Sequence, residues 1–109
     1  MSRAKGNIAE EKACAFLLEK GYEIVDRNVY SRFGEIDIIV LKEDVLHFVE
    51  VKSAEDYEKA IQNITPSKLS KMIKTADVYM KKKAYEGDYT FDAIIVTPQE
   101  LSFVEDITL

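Results

Sequence analysis

Apolar and polar positions follow two periods along this chain, and the switches between them mark its elements. From residue 3 to 20 the period is helical. At about 100° per residue, Ala9, Ala13, Cys14, Phe16, Leu17 and Leu18 spread over one apolar arc. Gly21 follows in the C-terminal capping position. Glu10 falls inside the arc beside Ala13, Cys14 and Leu17, where a carboxylate needs a reason, and Glu11 lies at its edge. Tyr22 to Tyr30 reads as a first strand, with Ile24, Val25 and Val29 as β-formers. Arg32-Phe33-Gly34 makes a turn in which Gly34 is expected to supply backbone angles other residues avoid. Strands follow at 35–42 and 45–53, turning back through Glu43-Asp44. On the face away from Asp37 sit Ile36, Ile38, Val40, Val45, His47, Val49 and Val51. Both faces are largely apolar, so this pair is expected in mid-sheet, covered on both sides.

Residues 55–65 are mixed in character and carry no assignment. Thr65-Pro66-Ser67 has the form of a helix start, Thr65 as N-cap and Pro66 in the first turn. The helix should run to about Lys83. Leu69, Met72, Ile73, Ala76, Tyr79 and Met80 occupy one arc, Lys71, Lys74, Lys81 and Lys82 the opposite one, and Lys68 sits near the border. Glu86-Gly87-Asp88 breaks the chain, strand 89–97 ends at Pro98, and a short strand 101–106 comes last. The order is α-β-β-β-α-β-β. The link from the third strand to the fourth passes through a helix, as a parallel crossover does. An α/β fold with a mixed β-sheet flanked by helices is expected, as one domain over 1–109.

Composition narrows the picture. Apolar residues make up 47% and charged residues 32%, which fits a globular chain rather than a disordered one. No apolar run approaches the roughly 20 residues of a membrane helix. No apolar run follows the charges of Met1-Ser2-Arg3-Ala4-Lys5-Gly6-Asn7 either, so neither a membrane partner nor a signal peptide is expected. The single Cys14 excludes an internal disulfide framework and a cysteine-cluster zinc site, and reads as a small core residue. A cytoplasmic protein is the plain reading. The formal charge of −5 speaks against holding nucleic acid by bulk electrostatics, although carboxylates that bind a cation count toward that sum.

The chemistry concentrates on the second and third strands. If they turn through Glu43-Asp44, Asp37 faces Glu50 and Glu35 faces Lys52, with Cβ atoms roughly 5 Å apart. Glu50 and Lys52 share a face because strand side chains alternate. Three carboxylates around one lysine among Ile, Val, Leu and Phe are costly unless a cation or substrate neutralises them. A structural ion pair of Lys52 with one acid would leave charge uncompensated. Asp37 and Glu50, with the Val51 carbonyl as a further ligand, would hold Mg2+ (or Mn2+) for chemistry on a phosphate ester. Lys52 would orient water or stabilise charge growing on phosphorus, and Glu10 would act from the first helix on water at the site. Lys71 and Lys74 suit a phosphate backbone, and Lys68 would put an ammonium beside a phosphate at a helix start. A solvated helix face is the plain alternative for Lys71 and Lys74. His47 and Tyr79 read as core.

Gly34-Glu35-Ile36-Asp37 followed by Phe48-Val49-Glu50-Val51-Lys52 resembles the signature of the small bacterial YraN family. The likeness extends through Glu10 with Ala13 and Phe16-Leu17, Gly21-Tyr22, Arg27-Asn28, Ser67-Lys68, Ala76 with Tyr79, and Phe91-Asp92. The resemblance implies membership of the PD-(D/E)XK nuclease superfamily, kinship with Holliday-junction resolvases and a restriction-endonuclease-like core. It puts Asp37, Glu50 and Lys52 in the active-site positions, with Glu10 and Lys68 as further matches. The superfamily's proline before the first aspartate is absent, Glu35-Ile36 standing there instead. The function so implied is that of a Mg2+-dependent endonuclease on branched or processed DNA, in preference to RNA. Resolution of four-way junctions would require a symmetric dimer. The alternative is a catalytically silent nucleic-acid- or partner-binding module that keeps the fold.

Overall fold

A computed structural model describes residues 2–108, with side chains from Ile8 onward. Eight elements follow one another: α1 (Ser2–Glu19), β1 (Glu23–Ser31), β2 (Gly34–Lys42), β3 (Val45–Ser53), α2 (Tyr57–Gln62), α3 (Pro66–Lys82), β4 (Asp88–Val96) and β5 (Leu101–Val104). The unassigned stretch contains α2, a helix of 6 residues, so the observed order is α-β-β-β-α-α-β-β. Its start is local chemistry, because the Asp56 carboxylate accepts from the Lys59 N–H. Too short to show an apolar period, it buries only Ala60. The last strand also stops earlier than expected, at Val104.

Local signals end the other elements. After α1 the Tyr22 N–H bonds the Leu17 carbonyl and the Gly21 N–H that of Leu18, with Gly21 at φ 91°. That pattern satisfies the helix's last carbonyls and needs a left-handed residue. Glu43 and Asp44, at φ 51° and 65°, form the two-residue turn whose twist matches a hairpin. Gly34 differs from expectation, since its φ is not positive. A Cβ there would lie 3.6 Å from the Lys71 Cβ of α3, an ordinary contact, so neither backbone angle nor space demands glycine.

The five strands order as β1-β2-β3-β4-β5, with β3 and β4 parallel and the other pairs antiparallel. The parallel pair is what the crossover through α2 and α3 produces. Helices cover both faces. Ala9, Ala13, Cys14 and Leu17 of α1 pack on Ile38, Val40, Val49, Ile94 and Val96. Met72, Ala76 and Tyr79 of α3 pack on Ile36, Ile39, Leu46, Phe48 and Phe91. Ile36 therefore lies in the cluster under α3, not on the α1 side as simple alternation predicts. The β2–β3 ladder ends at Ile38, and beyond it β2 follows β1 alone, so strict alternation against β3 no longer applies.

His47 is more than a core residue among aliphatic groups. Its Nδ1 pairs with Oδ2 of the fully buried Asp92, and Asp92 Oδ1 accepts from the Asp106 N–H at 2.9 Å. The Ile107 N–H bonds the Phe91 carbonyl, so the segment after β5 is fastened to β4. Tyr22 stands edge-on to the His47 ring at 5.1 Å. Asp92→Ala removes both acceptors at once. Each partner left unsatisfied costs about 1–3 kcal/mol, so urea unfolding should show a loss of roughly 2–6 kcal/mol with the m-value unchanged.

Candidate functional site

Where β2 parts from β3 the chain opens a pocket. Backbone pairing runs in the expected register from Lys42 with Val45 to Ile38 with Val49 and stops there. Asp37 with Glu50 and Glu35 with Lys52 are thus not ladder pairs. Instead the Asp37 carboxylate accepts the Val51 N–H through Oδ2 at 2.8 Å. A side chain takes a bond that a strand carbonyl would otherwise take, and the strands splay around it. The resulting cavity, about 230 Å3, is lined by Glu35, Asp37, Glu50 and Lys52 from the sheet. Lys68 and Lys71 of α3 line it too, and Ile64, Leu69, Met72 and Ile107 form its apolar wall.

On the sheet side of the pocket Lys52 Nζ lies 3.3 Å from Glu50 Oε2, which leaves Asp37 without an ion-pair partner among the described residues. Burial raises the Asp37 carboxyl most, the Glu50 charge adds to it, the Val51 N–H works against both, and Glu10 and Glu35 add smaller increments. The outcome is a pKa pushed up to about 8. Magnitudes decide the sign. A hydrogen bond to a charged group returns about 1.5–3 kcal/mol, whereas desolvating an ion costs several kcal/mol. At neutral pH Asp37 therefore holds a proton in the absence of a cation.

The other expected residues divide. Lys68 occupies the first turn of α3, its N–H bonded to the Thr65 hydroxyl at 3.3 Å, and reaches the pocket with Lys71. Lys74 does not join them. Its ammonium lies 5.5 Å from the centre of the Phe33 ring, outside the pocket lining. Turned away by one step of the helix, it lies about 60° from Lys71 around the axis. Glu10 does not line the pocket either. With 14% of its side chain exposed, it lies 3.7 Å from an Arg27 terminal nitrogen and accepts from Asn28 Nδ2 at 3.1 Å. Arg27 also donates to Glu11 at 2.8 Å. Those contacts are the reason for a carboxylate in the apolar stripe of α1. Nothing in the local pattern marks Arg27 and Asn28 as site residues; their adjacency in a strand facing α1 is the one signal the sequence offers.

The donor set suits a small hard cation. No group of three His, Cys, Asp or Glu side chains among the described residues converges closely enough to hold a metal alone. Mg2+ does not require one, since it binds through one or two carboxylates and keeps other positions for water and substrate oxygens. Burial first, and then the Glu50 charge, disfavour the ionised Asp37 carboxylate, and a divalent ion would offset both.

The fold and site define a class: an α/β protein whose mixed five-stranded sheet, flanked by helices, opens an acid-lined pocket beside its central strand. Residues 9–96 match the Uncharacterised protein family UPF0102, and the chain belongs to that family. A UPF0102 protein of Sulfurimonas denitrificans is 70% identical over 109 residues, covering 100% of both chains. One from Wolinella succinogenes is 54% identical over 109 residues, again covering 100% of both. One from Helicobacter pylori strain HPAG1 is 54% identical over 106 residues, 97% of this chain and 92% of the relative. No described helix is long and apolar enough to cross a membrane.

Asp37 makes stability depend on pH in a set direction. Its folded pKa, about 8, lies above the ordinary 3.8, so between those values the folded state holds a proton the unfolded chain has lost. The contribution is full at low pH and lost as pH rises through the folded value. In a chelator, stability should fall across that window by up to about 1.4 kcal/mol per pH unit, and Asp37→Asn should flatten the slope in pH-stepped urea melts.

Proposed function

We propose that this chain is a metal-dependent nuclease of the PD-(D/E)XK superfamily that acts on branched or processed DNA. The observation that carries the reading is one pocket with Asp37, Glu50 and Lys52 on one wall and Lys68 and Lys71 on another. Acids to hold a cation and ammoniums to receive a phosphate thus share a single cavity. The resemblance of Gly34-Glu35-Ile36-Asp37 and Phe48-Val49-Glu50-Val51-Lys52 to the superfamily's active-site pattern supports it independently.

Asp37 and Glu50 would hold Mg2+ or Mn2+, with the Val51 carbonyl as a further ligand. Bound there, the ion supplies Lewis-acid polarisation of a phosphoryl oxygen and lowers the pKa of water. The chain's own groups do the rest. Burial of Asp37 makes its charged form depend on a cation, so the site is assembled by loading. The Val51 N–H fixes the orientation of the Asp37 carboxylate. Lys52, whose ammonium lies 3.3 Å from Glu50, would stabilise charge on the transferring phosphoryl group. Lys68 and Lys71 anchor the phosphate backbone from α3, and the alignment of strands across a junction would fall to a homodimer. One further reading is a nucleic-acid- or partner-binding module without catalysis, and the acidic balance of the chain favours its partner-binding form.

Two measurements separate these readings. Mn2+ should raise the melting temperature of the native chain, and Asp37→Ala should abolish the rise. A panel of labelled four-way junction, flap and single-stranded DNA should then show cation-dependent scission, lost in Asp37→Ala and reduced roughly 100-fold or more in Lys52→Ala. Scission that survives a combined Glu50→Ala and Lys52→Ala change would assign it to a contaminant. Salt-sensitive retention of DNA without scission would establish the binding module instead.

A further inference from the structure

Asn28 lies inside β1 yet has φ 51°, a left-handed conformation that costs most side chains about 1–2 kcal/mol and that asparagine tolerates better. Its Nδ2 donates to Oε1 of Glu10 at 3.1 Å and is within 3.4 Å of Oε2 of Glu35. One amide nitrogen carries two hydrogens, and here it spends them on two carboxylates from different elements. Glu10 comes from α1 and Glu35 from β2, and Glu35 lines the pocket while Glu10 does not. Both are near enough to Asp37 to raise its carboxyl. Without a donor between them the two charges would repel across this gap, and Glu10 would lose its hydrogen-bonded link to a residue of the pocket lining.

We infer that Asn28 is a positioning residue for the cation site: its amide holds the Glu10 and Glu35 carboxylates together, so that α1 and β2 present a fixed acidic shell behind Asp37. Backbone tolerance alone would make asparagine, aspartate and glycine interchangeable at this position, since all three adopt positive φ more readily than other residues. The amide role makes them different. Partners that orient a metal site without touching the ion commonly change affinity by roughly 10–100-fold when removed. The inference rests on the cation-site reading above, and it deepens it by naming what holds the acids.

The experiment uses the full chain and Mn2+ alone. Mn2+ affinity of Asn28→Gly, read by electron paramagnetic resonance of the free ion, should fall roughly 10–100-fold. A second measurement, in a chelator, needs no cation. Asn28→Asp should lower the melting temperature in the native background, and by less than half as much when Glu10→Gln and Glu35→Gln are also present, because amides can donate to the new carboxylate. Native Mn2+ affinity in Asn28→Gly, or an equal loss of melting temperature in both backgrounds, would overturn the role of Asn28 while leaving the cation site standing. Absence of Mn2+ affinity in the native chain itself would overturn both.

Discussion

The bond from the Val51 N–H to the Asp37 carboxylate holds the place where two neighbouring strands separate, and the pocket exists because of that separation. Had the ladder continued past Ile38, a backbone carbonyl would have filled this role and closed the sheet. An acidic side chain instead does the work of main chain at the edge of a cavity. Such a carboxylate cannot relax outward into water without releasing a buried N–H, so its discomfort beside Glu50 is built into the sheet. The strain is electrostatic rather than steric, and a positive ion is the natural way to relieve it.

Around that point the molecule separates stability from chemistry. Ile38, Val40 and Val49 under α1, and Ile39, Leu46 and Phe48 under α3, are almost fully enclosed. Their burial contributes about 1.5–3 kcal/mol for each large side chain, enough to tolerate an unfavourable carboxyl a few residues further along the same strands. Polar ties then fix the elements that bear charge. Arg27 and Asn28 reach α1, while Ser31 meets Thr75 of α3 at 2.7 Å. Asp92 joins β3 to the segment after β5 through His47.

Periodicity and turn chemistry made most of the architecture legible. The capping glycine at 21, the Glu43-Asp44 turn and the Thr65-Pro66 helix start are short-range signals, and each acts within a few residues of the bond it makes. The β2–β3 register followed from the turn, since fixing two residues fixes the whole ladder. The end of that ladder was not legible, because it depends on one side chain competing with backbone, and no local pattern reports the winner. Asn28 and Asp92 escaped for a related reason. Glu10 lies 18 residues from Asn28 and His47 lies 45 from Asp92, and what distinguishes the two residues is who stands opposite after folding. α2 escaped because 6 residues cannot establish a period. Lys74 was grouped with Lys71 on a helical wheel, yet the pocket takes in only the one that faces β2.

Ile107 gives the segment after β5 a part in the pocket's shape. Carried round the sheet margin by Asp106 at φ 53°, it packs under α2 and α3 and stands among the residues that bound the cavity. A segment with no acidic role in the pocket thereby sets how deep and how greasy the chamber is. Variation among relatives in these few positions would retune what fits beside the carboxylates while leaving the carboxylates untouched.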